Sequence, residues 1–275
     1  MKHLYYLGLG VILFATSCND GGEAATEEET VVKQAPIELS AVGGSPEFEG
    51  ASIAIGDVKA TPDGDNVKLV FSFDVKNYEL MNQTSDADAK MCSNSDKGQH
   101  IHFILDNEPY AALYEPKHEV SVPKNSEHYL LVFLSRSYHE SVKSKGASEV
   151  LHFKVDENGK YIKLDDPTTP MVFYSRPKGE YIGQANTDKL LFDFFLWNTE
   201  ISDGGNSILA EIKANGVDTT MVINEWQSYF LRNVPTGNPE ITLTLKDADG
   251  NPIDGPMTKV TRQFTTALEE PLPAQ

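Results

Sequence analysis

The stretch QHIHFILDNEPY, residues 99 to 110, places two histidines at i and i+2. Side chains alternate along a β-strand, so His100 and His102 share one face with Ile104, while Ile101, Phe103 and Leu105 take the other. The apolar trio is the natural core face, and the imidazoles point away from it. Two imidazoles on one strand face can reach a single ion, and copper or zinc is the metal such nitrogens suit. His128 or His139 could complete the set, and the thiol of Cys92, beside Met91, would add a soft donor favouring copper(I) or zinc. The competing reading is a hydrogen-bonded pair that stiffens the face. An outward pair holds no core, so its removal is expected to cost little stability.

A second group of chemistry-bearing residues lies in LSRSYHESVK (134–143), which gathers Ser135, Arg136, Ser137, His139 and Lys143. Arginine and hydroxyls at a strand end suit a phosphate or carboxylate. A salt bridge from Arg136 to Glu140 is the competing reading. SRPKG (175–179) is a similar basic spot. Ser137 and His139 are close in sequence, but there is no nucleophile elbow, and the chain is read as a binding protein rather than an enzyme. Asp247, Asp249 and Asn251 have the opening spacing of a calcium loop without its later glutamate, and are read as a hairpin turn.

The elements that position these residues are short alternating runs broken by turn signals. Val67, Leu69, Phe71, Phe73 and Val75 alternate with Lys68, Val70, Ser72 and Asp74, and no long helical period appears. The fold class is all-β, with strand spacing typical of a sandwich. The chain also repeats itself: VKLVFSFDVKNYEL (67–80) lines up with DKLLFDFFLWNTEI (188–201), and HYLLVFL (128–134) with PEITLTL (239–245). Two tandem immunoglobulin-like β-sandwiches follow, at 47–159 and 160–268, with a tail at 269–275.

The second copy serves as a control. Ile241, Leu243 and Leu245 alternate with Thr242 and Thr244, which assigns its core and outer faces. By alignment, Leu130, Val132 and Leu134 are core in the first copy, and Tyr129, Leu131 and Phe133 form an apolar outer wall. Ser207 and Leu209 stand where the first copy has His100 and His102. The six histidines beyond His3 all lie in the first copy. An insertion at 81–97 leads into the histidine strand. An apolar outer face needs a cover, which the insertion, a ligand or the neighbouring domain could supply.

The chain begins MKHLYYLGLGVILFATSC, with Lys2 before an apolar run and small residues before Cys18. This is an export signal, too short for a permanent membrane span. Ending on cysteine, it resembles the lipobox of bacterial lipoproteins, with Ala15 where that motif usually has leucine. The resemblance implies cleavage after residue 17, acylation of Cys18 and a lipid anchor in the cell envelope. Residues 18–46 are acidic and lack an apolar period, and are read as a disordered tether. With 41 acidic against 23 basic residues and a net charge of −18, the overall field does not suit nucleic acid.

Taken together, GQHIHFILDNEPY, SEHYLLVFLSRSYHESVK and YSRPKGEYIG resemble a group of exported bacterial proteins identified as phosphopeptide-binding proteins. The resemblance spans residues 50 to 266. It implies a role for His100, His102, Asn107, Pro109, Tyr110, His128, Arg136, His139 and Glu140, and a peptide, anionic ligand or envelope protein as partner. Where the group has a glycine before the His128 strand, this chain has Asn125 and Ser126.

Overall fold

The computed structural model describes residues 35–90 and 92–269. The export signal, Cys18, residues 18–34 of the expected tether, Met91 and the tail beyond residue 269 lie outside the described residues.

The first ordered strand corrects the tether. Strand β1 (Glu38–Ala41) lies within the stretch expected to be disordered, yet it is paired in a sheet. The first sandwich follows. One sheet runs in the order β2 (Ser52–Asp63), β3 (Asn66–Lys76), β6 (Lys117–Pro123). The other runs β5 (Ala111–Leu113), β4 (His100–Leu105), β7 (Ser126–Ser135), β8 (Ser148–Val155), β9 (Tyr161–Lys163). Because β9 pairs with β8, the first sandwich reaches Lys163 and the joint falls later than residue 159.

The second sandwich repeats this plan. Strands β10 (Met171–Arg176), β12 (Leu190–Trp197) and β15 (Tyr229–Arg232) stand in the order of β2, β3 and β6. Strands β14 (Val217–Ile223), β13 (Ser207–Ala214), β16 (Glu240–Lys246) and β17 (Lys259–Ala267) stand in the order of β5, β4, β7 and β8. Phe71 and Phe192, aligned in sequence, are each fully buried in an inner strand of their sheet. The additions sit at edges: β11 (Gly179–Ile182) runs parallel to β17, and β1 borders β15.

Parity explains the cores. Ile101, Phe103, Leu130, Val132 and Leu134 pack inside the first sandwich, and Ile208, Ala210, Ile212, Ile241 and Leu243 inside the second. A third apolar cluster lies between the sandwiches. Ile104, Leu131 and Phe133 from the outer face of β4 and β7 meet Met171, Phe173 and Phe195 from the outer face of β10 and β12. Phe133 and Phe195 stack with centroids 5.4 Å apart. The second sandwich is thus the cover that the apolar outer face requires. The 81–97 insertion instead packs beside it, with Thr84 and Ser137 bonded reciprocally through their backbone N–H groups and hydroxyls.

Polar contacts fix the docking angle. Asp193 interrupts the apolar run of β12 and is fully buried. Its carboxylate accepts from Lys143 Nζ at 2.6 Å, from Ser228 Oγ at 2.9 Å, and from the backbone N–H and hydroxyl of Ser141. A buried carboxylate needs this saturation, since an unpaired charge there would be strongly destabilising. We expect Phe195→Ala to lower stability in urea unfolding by about 3–5 kcal/mol. Its effect should be non-additive with Phe133→Ala, because the two rings are each other's packing partner. Additive losses would show that the stack is incidental.

Candidate functional site

The site begins with the register of β4 on β7. His100 pairs with Ser135 and His102 with Phe133, so the chain leaving β7 turns directly beside His100. That turn is tight. Arg136 N–H donates to Glu140 C=O and His139 N–H to Arg136 C=O, both at 2.9 Å. His139 adopts a left-handed φ of 71°, an uncommon conformation for a residue with a Cβ. The turn carries its imidazole back over the histidine strand.

The result is a three-histidine cluster. His100 Nε2 stands 3.0 Å from His102 Nε2 and 3.0 Å from His139 Nδ1. The three ligand atoms lie within 4.8 Å of one another. His100 and His102 are fully buried. The far side of each ring is held in place. His100 Nδ1 lies 2.8 Å from the Gly98 carbonyl, which can only accept, so Nδ1 carries the proton and Nε2 presents its lone pair. His102 Nδ1 meets Ser175 Oγ at 3.2 Å, a contact from the second sandwich. Gly98 is required where it is: its φ is +82°, and a Cβ there would lie 2.5 Å from the carbonyl oxygens of Met81 and Asn82.

Tyr110 completes the surroundings. Its ring stacks on His102 with centroids 3.6 Å apart and planes 10° from parallel, and its hydroxyl lies 3.1 Å from His139 Nδ1. Lys178 Nζ sits 4.0 Å from the Tyr110 ring centroid and donates to the Tyr110 carbonyl at 2.9 Å. Burial lowers the pKa of His100 to about 4 and those of His102 and His139 well below the usual range, with Arg176 and Lys178 pushing the same way. At neutral pH all three rings are therefore uncharged and offer lone pairs.

Several expected site residues are elsewhere. His128 has the parity of Leu130 and Val132, so it faces the core side of β7. There Nδ1 meets Asp106 and Nε2 meets Ser126, each at 2.6 Å, and the ring lies against Phe153. Cys92 is not among the clustered ligands. It lines a groove with Lys189 and Arg232, its thiol pushed up to about 11 by burial. Asn107 is an interdomain tie, its amide donating to Val172 C=O and accepting from Tyr174 N–H on the edge strand β10. Tyr129 stacks on His152 with centroids 4.3 Å apart, away from the cluster. Arg136 donates to the carbonyls of Ser141 and Pro46, and Glu140 accepts from Ser45, so both hold loops rather than a ligand. The Asp247 turn is a hairpin, its carboxylate accepting from the N–H groups of Asp249 and Asn251.

The outward histidine pair is also corrected in one respect. It does leave the core of the first sandwich, but it is sealed by the second, so its removal would disturb an interface. Ser175, Arg176 and Lys178 were legible only as a basic spot; nothing in the sequence assigned them to the histidines.

No family model and no curated protein matches the chain. Among solved structures, the Clostridium thermocellum CbhA fibronectin(III)-like modules align at 12% identity over 81% of this chain and all of theirs, with a TM-score of 0.27. The central fibronectin-III array of RIM-binding protein aligns at 11% over 81% of this chain and 71% of its own, with a TM-score of 0.24. Likenesses at these scores carry no argument, and the sandwich assignment rests on strand order and register.

The buried imidazoles give a pH dependence. Between its ordinary pKa of 6.5 and its folded value of about 4, His100 binds a proton only when the chain unfolds. Stability of the metal-free protein should fall as pH drops through that window, by on the order of 3 kcal/mol from this residue. Urea melts at pH 7.5, 6 and 5 should show the loss, and His100→Gln should reduce its slope, His102 and His139 supplying the remainder. An unchanged slope in that variant would place the acid sensitivity elsewhere.

Proposed function

We propose that this chain is an exported, lipid-anchored envelope protein that binds copper or zinc through His100, His102 and His139. One observation carries the reading. The single lone pair of His100 Nε2 is approached at 3.0 Å by two other ring nitrogens. An N–H donor from His102 can satisfy that lone pair; His139 Nδ1 then faces it with no proton of its own and has the Tyr110 hydroxyl as its donor. A cation among the three satisfies all of them. Burial disfavours a proton in that role, and three nitrogens with no thiolate suit zinc or copper.

The donor set fits such an ion. Nitrogens 3.0 Å apart fit around an ion at about 2.0–2.1 Å with an angle of about 95°. For the two pairs that share His100, a relaxation of a few tenths of an ångström reaches tetrahedral spacing. The contacts of the far ring nitrogens with Gly98 and Ser175 are those that orient metal-binding imidazoles.

The resemblance to exported phosphopeptide-binding proteins suggested an anionic ligand near Arg136. The engagement of Arg136 with carbonyls weighs against that residue as a phosphate clamp. The metal reading is therefore preferred to the anion reading on the first sandwich.

The full chain, purified without a histidine tag, should hold one zinc or copper per molecule by elemental analysis and native mass spectrometry. His102→Gln and His139→Gln should each remove it, whereas His128→Gln and Cys92→Ser should retain it. Equal metal content in all five proteins would sink the assignment. For the anchor, Cys18→Ser should abolish acylation and membrane partition; unchanged partition would refute the lipid.

A further inference from the structure

A second line of hydrogen-bonding side chains lies at the end of β7 opposite the histidine cluster. Ser126 Oγ stands 2.6 Å from His128 Nε2, and His128 Nδ1 stands 2.6 Å from an Asp106 carboxylate oxygen. A carboxylate only accepts, so Nδ1 carries a proton, and in the neutral ring Nε2 turns a lone pair toward the serine. The other Asp106 oxygen accepts from Tyr129 N–H at 2.8 Å, which fixes the carboxylate, and the imidazole rests against Phe153. The Pro123 carbonyl, 2.5 Å from Ser126 Oγ, competes for the hydroxyl hydrogen. Of the two acceptors, only the imidazole is a base able to take the proton.

The fold does not require this line. The register of β13 on β16 repeats that of β4 on β7: Ile212 pairs with Ile241 as Leu105 pairs with Leu130. In that register Lys213, Pro239 and Gly237 stand where the first sandwich has Asp106, His128 and Ser126. The second sandwich builds the equivalent strands without a serine, an imidazole or a carboxylate at these places.

Ser126 is also within reach of a ligand. It follows Asn125, whose left-handed φ of 54° turns the chain between β6 and β7, and it lines an open cleft of about 370 Å³. Asn125, Lys154 and Asn158 line the same cleft, and their side chains have no partner among the described residues. They are the donors there for negative charge developing on a bound carbonyl oxygen. Asp156 and Glu157 line it too and disfavour an anionic substrate.

We propose that Ser126 is a nucleophile, His128 its base and Asp106 the positioning carboxylate of a second site that hydrolyses uncharged or cationic carboxylic esters. Ser126 Oγ bonds to the ester carbonyl carbon as its proton passes to His128 Nε2. The ester C–O bond then breaks, and the leaving alkoxide takes that proton and departs as the alcohol. Water attacks the acyl-serine, its proton passing through Nε2 back to Ser126 Oγ, and the carboxylic acid leaves. Neither step draws on the three-histidine centre.

The test uses the full chain with p-nitrophenyl acetate as the ester and a fluorophosphonate as the serine probe, each with and without a chelator. Wild type should hydrolyse the ester and carry the probe on Ser126 by peptide mass spectrometry, in both conditions. Ser126→Ala should lose both signals while its urea melt matches wild type. His128→Gln should lower kcat/KM about a hundredfold or more. Asp106→Asn should lower kcat with KM little changed and alter the pH profile of hydrolysis. His128 packs on Phe153, so if His128→Gln unfolds, Ser126→Ala decides. An unlabelled Ser126, or hydrolysis that persists in Ser126→Ala, overturns the proposal. Hydrolysis that disappears with the chelator also overturns it, since it then belongs to a bound metal.

Discussion

Everything distinctive about this molecule depends on the contact between two sheet faces that an isolated sandwich would leave in water. Strands β4 and β7 present Ile104, Leu131 and Phe133; strands β10 and β12 present Met171, Phe173 and Phe195. Each fully buried aromatic or aliphatic side chain contributes about 1.5–3 kcal/mol. Dispersed attraction of this kind brings the sandwiches together but sets no orientation. Orientation comes from Asp193 with Lys143 and Ser141, and from Asn107 on the edge of β10. These groups must meet their partners or remain buried and unsatisfied, so they tolerate few docking angles.

The histidine cluster lives at the margin of this contact and takes its character from it. On the surface of a lone sandwich, His100 and His102 would be hydrated and would titrate near the ordinary value. Covered by the second sandwich, they lose water, remain neutral and receive Ser175 as an orienting partner. The same docking brings Arg176 and Lys178 to Tyr110. The cluster is therefore built from imidazoles of one domain and takes part of its surroundings from the other.

The divergence of the two copies has the same cause. The face of β16 equivalent to the apolar outer face of β7 is partly exposed and carries Thr242, bonded to Thr261 across the sheet at 2.8 Å. The face of β3 equivalent to the outer face of β12 carries Lys68, Ser72 and Asp74. Apolar outer faces occur on the two surfaces that meet, and their counterparts are polar and, at Lys68, Asp74 and Thr242, reached by water.

By itself, the sequence determined the strands, the repeat and the parity of each face. Those follow from alternation of period two, a local property of the chain. It placed His100 and His102 on an outer face and His128, by the same parity, on the inner one, although His128 was counted with the site for its residue type. The run LLFDFFLW of β12, apolar on both faces except at Asp193, was a legible sign of a strand buried on both sides. Tertiary structure decided the rest. It alone brought His139 back to His100 through a turn in a left-handed conformation, sent Arg136 to loop carbonyls and removed Cys92 from the ligands. It alone chose the second sandwich over the insertion as cover. Alternation says which way a side chain leaves its strand; it does not say what arrives on the other side, because that depends on contacts between residues far apart in the chain.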